Sequence, residues 1–118
     1  MSNKIEQIAL NALDDLKAQQ VVNLNVEGLS DVMDVLVIAS GTSNRHVKSL
    51  ANNVIDEAKQ QDIRPIGIEG MDSGEWVLVD FGSVVVHVMQ PTTRQFYDLE
   101  KLWGPIDDES LDSGDQID

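Results

Sequence analysis

Apolar and polar residues alternate along this chain with two different periods, which divide it into helices and strands. Residues 3–19 and 44–58 repeat apolar positions at helical spacing, and each range predicts an amphipathic helix. A third helix is predicted after Pro91, with Thr92 and Gln95 as its capping box. The other patterns favour strands at residues 21–26, 33–40, 65–69, 76–81 and 83–90.

The order of these elements predicts the fold class. Helices interleave with strand pairs, which indicates a single α/β (α+β) domain with a mixed sheet of about five strands and helices packed on it. The nearly continuous β-branched run at 33–40 is typical of a strand covered on both faces. Residues 105–118 have few apolar groups and only negative charge, so we expect a folded domain at 1–104 and an acidic, disordered tail at 105–118.

The net charge narrows the range of partners. The chain has eight Lys and Arg against 21 Asp and Glu, a net charge of −13. Residues 1–104 alone hold 15 acids and eight bases, so the imbalance is not confined to the tail. Affinity for nucleic acid comes largely from Lys and Arg on phosphates, so broad, direct nucleic-acid binding is disfavoured. A basic protein partner is favoured, because opposite charge speeds its approach.

Cysteines and long apolar runs are both missing from the sequence. Without cysteine there is neither a disulfide framework nor a thiolate metal site. No apolar run approaches the roughly 18 residues that a membrane span needs. Acids interrupt the apolar positions of the first sixteen residues, where a secretory signal would need a continuous apolar region. We therefore expect a cytoplasmic protein with no membrane partner.

The stretch IASGTSNRHVKSL at 38–50 has a strand, a Gly-Thr-Ser turn and a helix start. Such a turn can hold a phosphate on free backbone N–H groups. It can equally be an ordinary capped helix start after a strand, which uses the same residue types. Only part of a P-loop is present, and Gly41 is the one glycine where a dinucleotide fingerprint needs three. The spacing therefore favours the capped helix start.

Candidate catalytic and metal-binding groups are sparse. A nucleotidyl-transfer site needs paired carboxylates for divalent metal, yet Asp80 stands alone on its strand and Asp72 and Glu75 lie in a loop. His87 interrupts an apolar strand and is expected to be a core histidine with a satisfied hydrogen bond. His46 is expected to donate to a backbone carbonyl. We therefore predict no catalytic residue, no metal, no cofactor and no enzymatic activity.

Two groups of side chains are typical of a protein interface. Trp76 and Leu78 share a strand face with Asp80 by period-two alternation. In the third helix, Tyr97 is offset from the apolar stripe of Phe96, Leu99 and Trp103, so we expect it to be exposed among acidic neighbours. Aromatic anchors beside acids suit docking on a basic protein.

Three blocks of sequence resemble a known family. GTSNRHV at 41–47, EGMDSGEWVLVDFGSVVVHVMQ at 69–90 and RQFYDLEKLW at 94–103 are similar to the Iojap family, the ribosomal silencing factors. The resemblance covers about residues 4–103 and says nothing about the acidic extension. It matches the family pattern at Trp76, Asp80, Gly82, His87, Arg94, Tyr97, Leu99, Glu100, Leu102 and Trp103.

The resemblance implies a nucleotidyltransferase-like fold without the catalytic carboxylates. It implies binding to the large ribosomal subunit through its fourteenth protein, which lies on the face that the small subunit joins. A factor bound there would block subunit joining sterically and repress translation when nutrients run short. The resemblance is also compatible with a homodimer.

Combining the residues with the resemblance, we predict direct partner contacts by Trp76, Leu78, Tyr97, Asp98 and Glu100. Gly82 is expected to form the turn, and His87 and Leu99 are expected to have structural roles. Two other functions stay open at this point. One is a nucleotidyltransferase-like enzyme, which would need carboxylates converging on the Gly41 turn. The other is an acidic adaptor for several basic proteins.

Overall fold

The computed structural model describes residues 2–97, which form three helices and five strands. The bounds of these elements are α1 Ser2–Asp15, β1 Gln19–Asn25, β2 Val35–Ser40, α2 Asn44–Gln60, β3 Gly67–Glu69, β4 Trp76–Asp80, β5 Val84–Met89 and α3 Pro91–Tyr97. The predicted order of elements is therefore confirmed. No helix in residues 2–97 is both long enough and apolar enough to cross a membrane.

The five strands form one mixed sheet in the order β1-β2-β5-β4-β3. β2 and β5 are parallel, and the other neighbouring pairs are antiparallel. The parallel pair is joined through α2, β3 and β4, whereas β4 and β5 form the predicted hairpin through Gly82. Every residue of β2 is buried, as the β-branched run predicted.

The larger core lies between the sheet and a layer made of α1 and α2. Alternate residues of the strands point into it, because successive side chains of a strand face opposite ways. The helices contribute the stripe predicted for α2 and a shorter one from α1. The fully buried members from the strands are Val37, Ala39, Val77, Val79, Val84, Val86 and Val88.

The opposite face of the sheet has a smaller apolar cluster. Its buried members are Val26, Leu36, Ile38 and Met89, and Leu24, Met33, Trp76 and Val85 pack against them while partly buried. We call this second face, which α1 and α2 do not cover, the open face. It is fully buried along β2 and only half-buried along β4.

Two predicted helix boundaries are wrong. α1 ends at Asp15 rather than residue 19, because Lys17 adopts a left-handed φ of 62° and the N–H of Ala18 bonds back to Leu13 O at 3.0 Å. The capping box at Thr92 is also wrong. A cap at Thr92 would make residue 93 the first of the helix, whereas α3 begins two residues earlier, at Pro91, whose ring suits a first helical position and lacks the N–H that a helix start leaves unpaired.

The predicted end of α3 and the acidic tail fall outside the described residues. Asp98, Glu100 and the stripe residues Leu99 and Trp103 all follow Tyr97. The division into a domain at 1–104 and a disordered tail at 105–118 stays a prediction.

Candidate partner-binding site

The Gly41–Ser43 turn is the capped helix start that the spacing favoured. Ser43 is the N-cap of α2, and its Oγ accepts a hydrogen bond from His46 N at 3.0 Å. Thr42 N donates to the Nδ1 atom of His46 at 2.9 Å. A Cβ on the buried Gly41 would lie 2.9 Å from Val47 N. The glycine is therefore explained by close strand–helix packing, and two of the amides that a phosphate would need already have partners.

His46 fastens this turn to the end of α1. Because its Nδ1 accepts from Thr42 N–H, the proton sits on Nε2, which donates to Leu16 O at 2.8 Å. The predicted donation to a backbone carbonyl is confirmed. The ring thus ties α2, the turn and the chain after α1 together.

The row of Trp76, Leu78 and Asp80 lies on the open face, as alternation predicted. All three side chains are half-buried, whereas Val77 and Val79 between them are fully buried against the helices. Across the ladder, Leu78 pairs with His87 on β5 and with the exposed Glu69 on β3.

Trp76 is oriented by His87. The indole Nε1–H donates to His87 Nδ1 at 2.9 Å, and the ring centroids lie 5.8 Å apart. Burial lowers the pKa of His87 from 6.5 to about 4, with the Asp80 carboxylate opposing that shift. His87 is therefore neutral at pH 7 and can accept the indole proton. The prediction of a core histidine with a satisfied hydrogen bond is confirmed.

Asp80 both closes a turn and contributes charge to the open face. Its Oδ1 accepts a hydrogen bond from Gly82 N at 2.8 Å. Gly82 has a φ of 92°, a left-handed conformation that favours glycine. The predicted role of Gly82 in the hairpin turn is confirmed.

The roles of two residues that shape the site, Gly70 and Arg94, were not predicted from the sequence. Gly70 has a φ of 86°, and a Cβ there would collide with the carbonyl oxygen of Trp76, so the loop before β4 passes close to the site. Arg94 is buried, with its Nη1 donating to Gln20 O at 2.7 Å and to Ser40 Oγ at 2.9 Å. Arg94 thus fixes α3 on the sheet. The position of Gly70 in a loop could have indicated a close backbone approach. No neighbouring residue in the sequence predicts the hydrogen-bond partners of Arg94.

The net negative charge of residues 2–97 lies on the strands and the loops that connect them, rather than on α1 and α2. Residues 4–17 and 44–64, which contain α1, α2 and the turns after them, hold six acidic and six basic side chains. The rest of residues 2–97 holds seven acids and one base, Arg94. These acids lie on β3, on β4 and on the loops at the two ends of the sheet. Two of them, Glu69 and Asp80, are on the open face itself, where negative charge would attract a basic surface.

The structure brings together only part of the predicted contact set. Trp76 and Leu78 share the open face, and Tyr97 is the last described residue, at the end of α3. Asp98 and Glu100 lie outside the described residues. Within residues 2–97, no three His, Asp or Glu side chains come together as metal ligands would.

Fold and site together define a small α+β domain whose excess negative charge borders a half-buried aromatic face. A family model described as "Ribosomal silencing factor during starvation" matches residues 1–118. The chain belongs to this family of ribosomal silencing factors, and the match extends through the acidic extension as well.

Relatives and a solved structure agree with this assignment. The ribosomal silencing factor RsfS of Chromobacterium violaceum is 46% identical over 101 residues, covering 86% of this chain and 83% of that protein. A Mus musculus protein named "Mitochondrial assembly of ribosomal large subunit protein 1" is 45% identical over 73 residues, covering 59% of this chain and 32% of its own length. A crystal structure of a Chromobacterium violaceum protein matches with a TM-score of 0.86 and 43% identity, covering 90% of this chain and 88% of that one.

Proposed function

We propose that this protein binds the large ribosomal subunit through its fourteenth protein and blocks joining of the small subunit. The mechanism is steric occlusion: while the factor is bound, the small subunit has no access to that face. No bond is made or broken, so the factor acts in proportion to its occupancy. Translation is repressed when nutrients are limiting, and the site of action is the cytoplasm.

Family membership supports the class of this function. The family model carries the words silencing and starvation in its description. The mouse relative is named for assembly of the ribosomal large subunit. Both names concern ribosomes, and one of them concerns the large subunit in particular.

One structural observation supports the binding surface: the open face carries an aromatic and an aliphatic side chain beside two carboxylates. Trp76 and Leu78 form the half-buried centre, and Asp80 and Glu69 supply negative charge on the same face. A desolvated aromatic anchor contributes most of the binding energy in a typical interface, and the charges speed and orient the encounter. Tyr97, Asp98 and Glu100 are proposed to extend this surface.

Co-sedimentation with purified large subunits tests the proposal, with small subunits as the negative control. We expect binding to large subunits only, weakened by salt because surface charges are screened. Adding the protein to large subunits before small subunits should then lower the yield of joined ribosomes in a density gradient. Binding without inhibition of joining would contradict occlusion.

A matched pair of charge reversals tests the surface. Glu69→Lys alters the open face, and Asp56→Lys alters the exposed side of α2. Both residues are exposed and both substitutions change the net charge equally, so non-specific charge effects are the same. We expect Glu69→Lys to weaken large-subunit binding at least fivefold and Asp56→Lys to leave it within twofold of wild type. Equal effects would place the interface elsewhere.

A further inference from the structure

The loop between β1 and β2, residues 26–34, carries the most exposed apolar side chains near the open face. We call it the β1–β2 loop. Val32 is 81% exposed and Leu29 is 53% exposed. A single exposed apolar residue is ordinary for a soluble protein. Two of them three residues apart on one loop, next to the proposed contact face, are a candidate contact surface.

The β1–β2 loop is held in one shape by its own hydrogen bonds. Val26 N donates to Asp34 O at 2.8 Å, which closes the base of the loop. Ser30 Oγ accepts from Val32 N at 3.1 Å and from Met33 N at 3.3 Å. A contact made by a pre-formed loop loses little conformational entropy on binding.

The loop is continuous with the open face. Val26 and Met33 belong to the apolar cluster that contains Trp76. Asp34 N and Val35 N both donate to Ser83 O, at 2.7 and 3.0 Å, which joins the loop to the β4–β5 hairpin. One partner surface could therefore contact both the loop and the row on β4.

The charge of the loop restricts the occupant. Residues 26–34 contain Glu27, Asp31 and Asp34 and no basic residue. An apolar contact framed by acids matches a basic protein segment that carries an apolar side chain beside Lys or Arg. It repels the phosphates of ribosomal RNA, so the surface selects protein rather than nucleic acid.

We infer that the β1–β2 loop, through Leu29, Val32 and Asp31, forms a second contact with the basic ribosomal protein that the open face binds. The inference rests on the proposed function. It extends the proposed contact surface from β4 to the loop that precedes β2. The loop supplies the apolar contact and the open face supplies the aromatic anchor.

The test compares exposed apolar residues at opposite edges of the sheet. Leu29→Ser with Val32→Ser removes the apolar contact without changing charge. Ile66→Ser is the matched control, because Ile66 is 75% exposed but lies just before β3, at the other edge. Asp31→Lys is an independent variant, because the side chain of Asp31 is exposed and lies outside the core. Circular dichroism checks that each variant is folded.

Binding to purified large subunits is measured by co-sedimentation at fixed salt. We expect the double serine variant and Asp31→Lys each to bind at least fivefold more weakly, and Ile66→Ser to bind within twofold of wild type. The inference is overturned if the loop variants match wild type while Glu69→Lys is weakened, a result that leaves the proposed function standing. If wild type itself fails to bind large subunits, the proposed function falls and the inference falls with it.

Discussion

The burial of His87, which accepts a hydrogen bond from Trp76, makes the stability of this protein depend on pH in a predictable direction. His87 is neutral in the fold because burial lowers its pKa to about 4, whereas the unfolded chain has a pKa of 6.5 at this position. Between these two values the unfolded state binds a proton that the folded state excludes. The contribution of neutral His87 to the unfolding free energy is therefore fully present above pH 6.5 and is lost as the pH falls toward 4.

The size of the effect follows from the two pKa values. At pH 5 the unfolded histidine is almost fully protonated and the folded one is mostly neutral. Proton linkage then lowers the unfolding free energy by about 2 kcal/mol between pH 7 and pH 5 from His87 alone. That is a large share of the about 5–15 kcal/mol that stabilises a typical domain.

Urea unfolding of wild type and His87→Asn, followed by circular dichroism, isolates this contribution. Asn can present an oxygen near the position of Nδ1 to accept the indole N–H, but it does not titrate. Both proteins share every other titratable group, so the difference between their pH profiles reports on position 87. We expect the stability difference between the two proteins to shift by about 2 kcal/mol from pH 7 to pH 5. Parallel pH profiles would refute a neutral, buried His87.

Three further predictions follow from the turn, the tail and α3. Gly41→Ala should lower the unfolding free energy in urea by about 1–3 kcal/mol, because the added Cβ overpacks against Val47. For the same turn, calorimetry of the wild-type protein with ATP, GTP or UTP and Mg²⁺ should show no saturable heat. Deleting residues 105–118 should leave the melting temperature nearly unchanged and slow association with large subunits, since six acids are removed; a drop in melting temperature would show that the tail packs on the domain. Tyr97→Ala should weaken the binding free energy for large subunits by about 2 kcal/mol, the usual effect of removing a hot-spot residue. Glu100→Lys should weaken co-sedimentation, because it places a positive charge against a basic surface. If both variants bind like wild type, the end of α3 is not part of the interface.

Periodicity predicted the parts of the fold that depend on burial. Strand alternation placed Trp76, Leu78 and Asp80 on one face, because the side-chain period of a strand is two wherever it lies in the sheet. The helix boundaries were predicted less well. The end of α1 depends on Lys17 adopting a left-handed conformation, which the apolar pattern does not encode.

Contacts between segments that are distant in the chain could not be predicted from the sequence. Arg94 reaches Ser40, 54 residues away in the chain, and its burial depends on how α3 meets the sheet. The Trp76–His87 bond also requires the register of the hairpin, which pairs Trp76 with Met89 and Leu78 with His87. The sequence alone predicted that His87 would have a partner without identifying which one.

The distribution of charge is the clearest case of a property that only the fold reveals. Composition gives a net charge of −13, from which a basic partner follows but no binding face. In the fold, the acids and bases of α1, α2 and their following turns cancel in number, so the helix layer contributes no net charge. Within residues 2–97, the remaining seven acids and one base lie on the strands, their connecting loops and α3, and Glu69 and Asp80 share the face that holds Trp76 and Leu78. Glu69 and Asp80 therefore place attraction for a basic surface beside the apolar anchors, so that charge and short-range packing favour the same orientation of docking.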